Sequence, residues 1–406
     1  MCGEFTLTLG GEKAVNFDSP VVKIALEVSD DPILYMRNHY SISALMKRFI
    51  SFFLKLILLF PFLIQANPLN LKGQLWLSTL TSNDIPTGQS AYESTMGYIP
   101  TLSLFKELSD NQLVDMEWAY RLDRTYSGDS LLHYNESHHR YWIRYSSEKL
   151  EARLGLQKIV FGPSFVLRSL SWFDTIDLRD PTGQTDGVEA IRLRWFPSNS
   201  LSIWSWVINN DQDTLSYGSR VELSNSAGEW GLTYHQDPSK SLQPIGQIGI
   251  PVSGSHNRLA IDYRYDGFIG FWNESALISS DRSEIIMATV GADYTLPIAT
   301  GILVMAEYMS ISNKIDSGEL SQSYTALMAS MPLGMVHQLM FISQFDLEEN
   351  RSYNYLRWSS TYDHYSLNFI LSISPKRADY NLSEEHLPRS LAGFGTGFQF
   401  MFIYNH

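Results

Sequence analysis

The chain of 406 residues carries a formal net charge of −13, and 18% of its residues are charged whereas 13% are aromatic. Soluble domains usually contain about 25% charged residues, so this composition favours a β-rich protein with an unusual surface. The acidic balance argues against a nucleic-acid partner, because affinity for phosphate depends on Lys and Arg. The single cysteine, Cys2, excludes a disulfide framework and a cysteine-based zinc site.

Residues 46–66 have the pattern of a secretory signal peptide. Two basic residues precede an apolar run, and the small residue Ala66 stands at a cleavage position. The apolar run is far shorter than the roughly 20 residues that a spanning helix needs. Since a signal peptide stands at the front of a chain, we interpret 1–45 as a wrongly assigned upstream segment, a cytoplasmic extension being the alternative. The mature chain is then 67–406.

Apolar and polar side chains alternate with a period of two along much of 67–406. Membrane barrels show this pattern, with apolar residues facing lipid and polar residues facing the lumen. The clearest segment is 113–123, whose apolar face consists of Val114, Met116, Trp118, Tyr120 and Leu122. A soluble β-sandwich also alternates, but the apolar faces here end in Tyr, Trp and Phe, as an aromatic girdle does. The pattern therefore favours strands that cross a membrane.

The connections between these segments alternate in length. The longer connections lie near 81–94, 124–137, 158–187, 236–257, 312–321 and 374–393, and the intervening ones are short. Bacterial outer-membrane barrels have short periplasmic turns and longer outer loops in this order. We therefore predict an all-β fold, a transmembrane antiparallel β-barrel of about 18 strands (about 16 as the alternative) with an aqueous lumen.

The last predicted strand, Phe394 to Tyr404 (FGTGFQFMFIY), resembles the aromatic C-terminal strand of Gram-negative outer-membrane porins. It departs from that pattern because residues 405–406 are Asn and His instead of a terminal Phe. The stretch 153–157, followed by 161–162, is similar to the strand and loop entry of alginate-export-type channels. The resemblance implies an outer-membrane location, contact with outer-membrane lipid, and recognition of the last strand by the barrel-assembly machinery.

The connection 158–187 is third in rank among the longer connections. In porins the third outer loop folds into the lumen and narrows it, so the resemblance implies an inward-folded third outer loop here. Pro163 and Ser164 predict a short helix that reaches Phe173, with Ser164 as its N-cap. The segment contributes four aspartates as candidate constriction residues, which are Asp174, Asp177, Asp180 and Asp186.

Basic side chains recur on the lumen face of the strands that frame this loop. They are Arg121, Arg140, Arg144, Arg153, Arg192 and Arg194. A basic wall opposite an acidic loop makes a transverse field that orients dipolar solutes and filters by charge and size. The alternative is structural, with the arginines pairing with the carboxylates of the wall to hold it together. Both interpretations stay open from the sequence.

Other side-chain patterns carry less information about function. Trp172, Phe173, Trp204 and Trp206 are compatible with an aromatic slide for sugars, but we expect Trp204 and Trp206 to lie in an interfacial girdle. The acidic runs lack the ligand spacing of a calcium loop, so no metal site is predicted. The sequence contains no GxSxG or HExxH motif, so neither an enzymatic activity nor a cofactor is predicted.

The predicted function is an outer-membrane, porin-like channel for passive diffusion of small hydrophilic solutes. The alternatives are a non-channel barrel with a surface, structural or adhesive role, and a substrate-specific exporter that works with periplasmic partners. Adhesive barrels usually need long outer loops, and most connections in 67–406 are short, which favours the channel. The sequence does not identify the solute, and a homo-oligomer is an open alternative.

Overall fold

The computed structural model describes residues 69–210, 214–315, 318–380, 382–383 and 386–406. The predicted upstream segment 1–45 and the predicted signal peptide 46–66 lie outside the described residues. Within the described ranges, no helix is long and apolar enough to cross a membrane.

Eighteen antiparallel strands form one closed sheet, which confirms the predicted fold class and strand number. They are β1 (Asn70–Ser82), β2 (Tyr92–Ser109), β3 (Gln112–Ser127), β4 (Ser130–Ser147), β5 (Leu150–Gln157), β6 (Val188–Ser198), β7 (Leu201–Asn209), β8 (Leu215–Asn225), β9 (Gly228–Asp237), β12 (His256–Asp266), β13 (Gly270–Ser280), β14 (Ser283–Leu296), β15 (Ile302–Ile315), β16 (Gly318–Leu333), β17 (His337–Asp346), β18 (Arg351–Thr361), β19 (Tyr365–Ile373) and β20 (Thr396–Asn405). A separate hairpin consists of β10 (Leu242–Ile245) and β11 (Ile250–Ser253), so that β9 pairs with β12. Strand β20 closes the barrel against β1.

The alternation seen in the sequence separates the outer wall from the lumen. On β3, Trp118 faces outward with 38% of its surface exposed, whereas Ala119 faces inward and is 1% exposed. On β20, Phe398 and Phe400 lie on the outer wall, while Ile403 is buried inside. An apolar outer surface is favourable only where lipid covers it, because water would otherwise contact it.

The barrel has a short-turn end, where β2 meets β3 and β12 meets β13, and a loop end, where the longer connections lie. The predicted long connections near 124–137 and 312–321 are wrong, because strands occupy most of both ranges. β3 continues to Ser127, and β4 begins at Ser130. Gly128, with a φ of 59°, permits the tight turn between them. The polar residues of this range had indicated a loop. Two of them, Arg124 and Glu136, instead form a cross-strand ion pair of 3.0 Å within the hairpin.

Two segments from the loop end fold into the barrel. One is 158–187, which confirms the predicted inward-folded third loop, and the other is the β10–β11 hairpin, which the sequence did not reveal. Ile159 and Leu170 of the loop and Ile245 and Val252 of the hairpin are all at most 1% exposed. They join one apolar cluster with inward-facing side chains of β12 to β17. This side of the lumen is therefore a packed core.

Candidate functional site

The inward loop 158–187 is attached to the wall by two buried glutamates. On β15, Glu307 Oε1 accepts the backbone N–H of Phe165 at 2.7 Å, and Oε2 accepts those of Val166 at 3.0 Å and Leu167 at 2.6 Å. Such bonds to an ionised acceptor are stronger than bonds between neutral groups. The carboxylate thus fixes three consecutive amides of the loop.

On β13, Glu274 supplies the second anchor. Its Oε1 accepts the backbone N–H of Ser164 at 2.8 Å, and its Oε2 accepts that of Leu170 at 3.0 Å. The predicted helix from Pro163 to Phe173 is wrong, because no helix forms there. The amide of Leu170, which would donate to the carbonyl of Val166 in such a helix, donates to Glu274 on the wall instead.

The loop also contacts the opposite wall, so it crosses the lumen. The hydroxyl of Tyr355 on β18 donates to the carbonyl of Arg179 at 2.6 Å. The side-chain amide of Gln184 donates to Gln74 Oε1 on β1 at 2.8 Å. The loop is hydrogen-bonded to β13 and β15 on one side and to β18 and β1 on the other. It therefore divides the lumen instead of lying along one side of it.

Aromatic side chains fill the contact between the loop and β7. The ring of Phe161 lies 5.1 Å from that of Trp206 and 5.9 Å from that of Trp204, and the ring of Phe173 lies 6.1 Å from that of Trp206. Trp206 is 2% exposed and Trp204 is 8% exposed. The predicted interfacial girdle position of these two tryptophans is therefore wrong, because they face inward and pack against the loop. Burial of these four rings against one another stabilises the loop in its docked position.

The wall formed by β3 to β6 is polar and reached by solvent. The side chains of Arg144, Arg121 and Arg153 retain 26%, 21% and 16% of their exposure inside the barrel. This side contrasts with the packed core against β12 to β17. The space left for water and solutes is therefore displaced toward the arginine-bearing strands.

Three of the predicted arginines stand directly opposite one another on neighbouring strands. Arg144 pairs in register with Arg153, and Arg153 pairs with Arg192. Like charges in this position repel unless carboxylates separate them. Asp115 accepts two bonds from Arg144, of 2.8 and 2.7 Å, and Glu151 lies 2.5 Å from Arg192 and 3.8 Å from Arg153. The structure brings these arginines together as a ladder.

The remaining predicted arginines occupy separate places on the wall. Arg194 pairs with Glu222 at 3.2 Å, and Arg121 bonds Asp123 at 2.5 Å. Arg140 is 8% exposed and donates to the backbone carbonyls of His139 and Thr185, both at 2.5 Å. Arg140 therefore ties the base of the loop to β4 and is less accessible to a solute than the ladder.

The four predicted aspartates do not face the ladder as a group. Asp174 is buried and forms an ion pair with Arg168 of the same loop. Asp177 pairs with Arg179 at 2.7 Å, and Asp180 accepts the hydroxyl of Thr182 at 2.7 Å. Asp186 contributes its backbone N–H to Thr175 Oγ1 at 3.0 Å. In the described part of the chain, no ion pair joins these aspartates to the six predicted arginines.

Burial and the nearest partners shift the pKa values of two loop carboxyls. For Asp177, burial alone raises the pKa, but the charge and hydrogen bonds of Arg179 outweigh it and hold the pKa below the usual value. For Asp180, burial dominates and raises the pKa despite its bonds to Thr182. Asp177 is thus held as a structural carboxylate.

Glu274 and Glu307 were not predicted as loop anchors. A signal was present, because each is a lone glutamate among apolar residues on an inward strand face, between Trp272 and Ala276 and between Met305 and Met309. A buried acid in such a row needs a partner. No cluster of three or more His, Cys, Asp or Glu side chains able to hold a metal ion occurs in the ranges that the structure describes.

No protein-family model matches the sequence, and no curated protein matches it. Among solved structures, the barrel is similar to OmpF of Salmonella typhi in complex with daunomycin, with a TM-score of 0.51 and 12% identity, covering 84% of this chain and 98% of that one. A mutant of the Rh. blastica porin gives a TM-score of 0.48 at 11% identity, covering 84% of this chain and 100% of that one. Identities this low report on the fold alone. By fold, the chain is a porin-like transmembrane β-barrel.

Proposed function

We propose that the protein is an outer-membrane channel through which small hydrophilic solutes diffuse passively. The observation that carries this proposal is the division of the lumen by the loop 158–187. One side is a packed apolar core, and the other keeps charged side chains in contact with solvent, with Arg144 26% exposed. Ion pairs would also hold the wall of a structural barrel together, so the feature that favours a channel is the contact of these side chains with solvent.

The charged wall has a small excess of positive charge. The count takes the ion-paired side chains of this wall and of the adjoining β8 and β12. Six guanidinium groups (Arg121, Arg144, Arg153, Arg192, Arg194 and Arg220) minus five carboxylates (Asp115, Asp123, Glu151, Glu222 and Asp262) leave one positive charge. In a narrow lumen, fixed charges are screened less than on an open surface and bias which ions enter. We therefore expect a weak preference for anions. The ion pairs of the ladder also stabilise the wall.

The test replaces two exposed members of the ladder, Arg144→Ser and Arg153→Ser, in a single variant. Reversal potentials in planar bilayers under a salt gradient should move toward cation selectivity. The matched control combines Arg124→Ser with Lys314→Ser, which removes the same two positive charges from the outer side of the barrel, where Arg124 pairs with Glu136 and Lys314 with Glu284. The control should conduct with the selectivity of the parent.

A second variant tests the role of the loop. Deleting 165–180 removes the part of the loop that crosses the lumen, so single-channel conductance should rise. Folding is checked by the heat-dependent shift of barrel mobility in detergent gels. If the folded deletion variant and the Arg144, Arg153 variant both conduct like the parent, the solute path does not pass this site and the proposal is wrong.

A further inference from the structure

Three neighbouring turns at the short-turn end expose large apolar side chains at their tips. Phe268 and Ile269, between β12 and β13, are 83% and 51% exposed. Ile298, between β14 and β15, is 55% exposed, and Met335, between β16 and β17, is fully exposed. None of these three turns contains a charged residue. Such a set of exposed apolar tips marks a contact surface.

The other five turns at the same end are different. Their tip residues are Asp110 and Asn111, Glu148 and Lys149, Asn199 and Ser200, Ser226 and Ala227, and Tyr362, Asp363 and His364. They contain no Phe, Leu, Ile, Met or Val, and three of the five carry charge. The apolar tips are therefore confined to one sector of the rim, which spans the six consecutive strands β12 to β17.

The apolar sector is continuous with the outer wall of the barrel. The ring of Phe268 lies 5.1 Å from that of Tyr294 on β14, and Tyr263 contacts both Trp230, at 4.3 Å, and Phe271, at 6.4 Å. These wall side chains form the aromatic part of the lipid-facing surface. Strands are about 4.8 Å apart, so the three tips spread over roughly 20 Å of the rim.

We propose that this sector, defined by Phe268, Ile269, Ile298 and Met335, inserts into the lipid leaflet at the short-turn end. Its occupant is phospholipid at the boundary between headgroups and acyl chains, where aromatic and aliphatic side chains are favourable and uncharged turns cost less to desolvate than charged ones. The polar turns of the opposite sector stay in water. The barrel axis is therefore tilted toward the β12 to β17 side.

The test measures how lipid and water reach the turns. Ile269→Cys, Ile298→Cys and Met335→Cys are each prepared in a Cys2→Ser background, labelled with a nitroxide and reconstituted into phosphatidylethanolamine and phosphatidylglycerol vesicles. Matched controls are Asn111→Cys and Asp363→Cys at polar turns. Collision rates with oxygen, which is enriched in lipid, are compared with those of a water-soluble nickel chelate.

The proposal expects the ratio of oxygen to nickel collisions to be several-fold higher at the three apolar turns than at the two controls. Equal ratios at all five positions would place the apolar turns in water and overturn the proposal. A second copy of the chain as the occupant would give spin–spin broadening that disappears on dilution with unlabelled protein, which would also overturn it. Since every label sits in an exposed turn, the variants are expected to fold like the parent.

Discussion

Replacing Glu307 by Gln removes one negative charge and keeps nearly the same shape. In the parent, the two carboxylate oxygens accept four donors, the backbone N–H groups of Phe165, Val166 and Leu167 and the indole N–H of Trp272 at 3.2 Å. A carboxamide offers one oxygen and one NH2 group. Whichever way it is turned, two of the four donors face the NH2 group and lose their acceptor.

The size of the effect follows from this count. A hydrogen bond to a charged group contributes about 1.5–3 kcal/mol, so two lost acceptors weaken docking of the loop by about 3–6 kcal/mol. The side chain is 3% exposed, which leaves no bulk water to replace them. The docked loop should therefore open far more often in Glu307→Gln than in the parent.

Limited trypsin digestion of the folded barrel in detergent measures this opening. Arg168 is 3% exposed in the docked loop, so cleavage after it requires undocking. Glu307→Gln should be cut there at least tenfold faster than the parent. Glu284→Gln is the matched control, because Glu284 lies on the outer wall with a side chain 49% exposed. Equal cleavage of the two variants would refute the anchoring role of Glu307.

Three further substitutions test the packing and the orientation of the wall. Arg168→Met leaves a buried carboxylate without its partner and should lower the free energy of unfolding by about 3–5 kcal/mol in urea titrations, whereas Lys314→Met at an exposed pair should cost about 0–1 kcal/mol. Met116→Arg should cost about 2–4 kcal/mol at mid-membrane, and a neutral result would invert the assigned face of β3. Trp206→Ala should cost about 3–5 kcal/mol by opening a cavity, clearly more than Trp230→Ala on the outer wall, and equal costs would contradict the inward packing of Trp206.

The strands were predictable because the barrel wall imposes a simple rule on the sequence. On β12 and β19, apolar outward residues alternate with inward residues that are mostly polar, Ala260 and Ile370 being apolar exceptions, so each strand and its outward face could be identified. The tight turn at Gly128 was not predictable in the same way, since polar pairs such as Arg124 and Glu136 occur both in loops and in extended hairpins.

The site was predictable only in outline. The position of 158–187 inside the lumen and the arginine-bearing wall followed from the resemblance and the alternation, but the partners of each side chain depend on long-range packing. Trp204 and Trp206 face inward because they pack against Phe161 and Phe173 of the loop. The local sequence pattern of β7 does not indicate this long-range contact. The buried carboxylate of Glu307 is similar, because its partners lie about 140 residues away.

We propose that solutes cross the barrel along the charged wall beside the docked loop. Single-channel recording of the purified protein in planar bilayers measures this passage. We expect discrete conductance steps whose reversal potential under a salt gradient shows a weak preference for anions, lost when Arg144 and Arg153 are replaced. A folded, membrane-inserted protein that gives no conductance steps would contradict it.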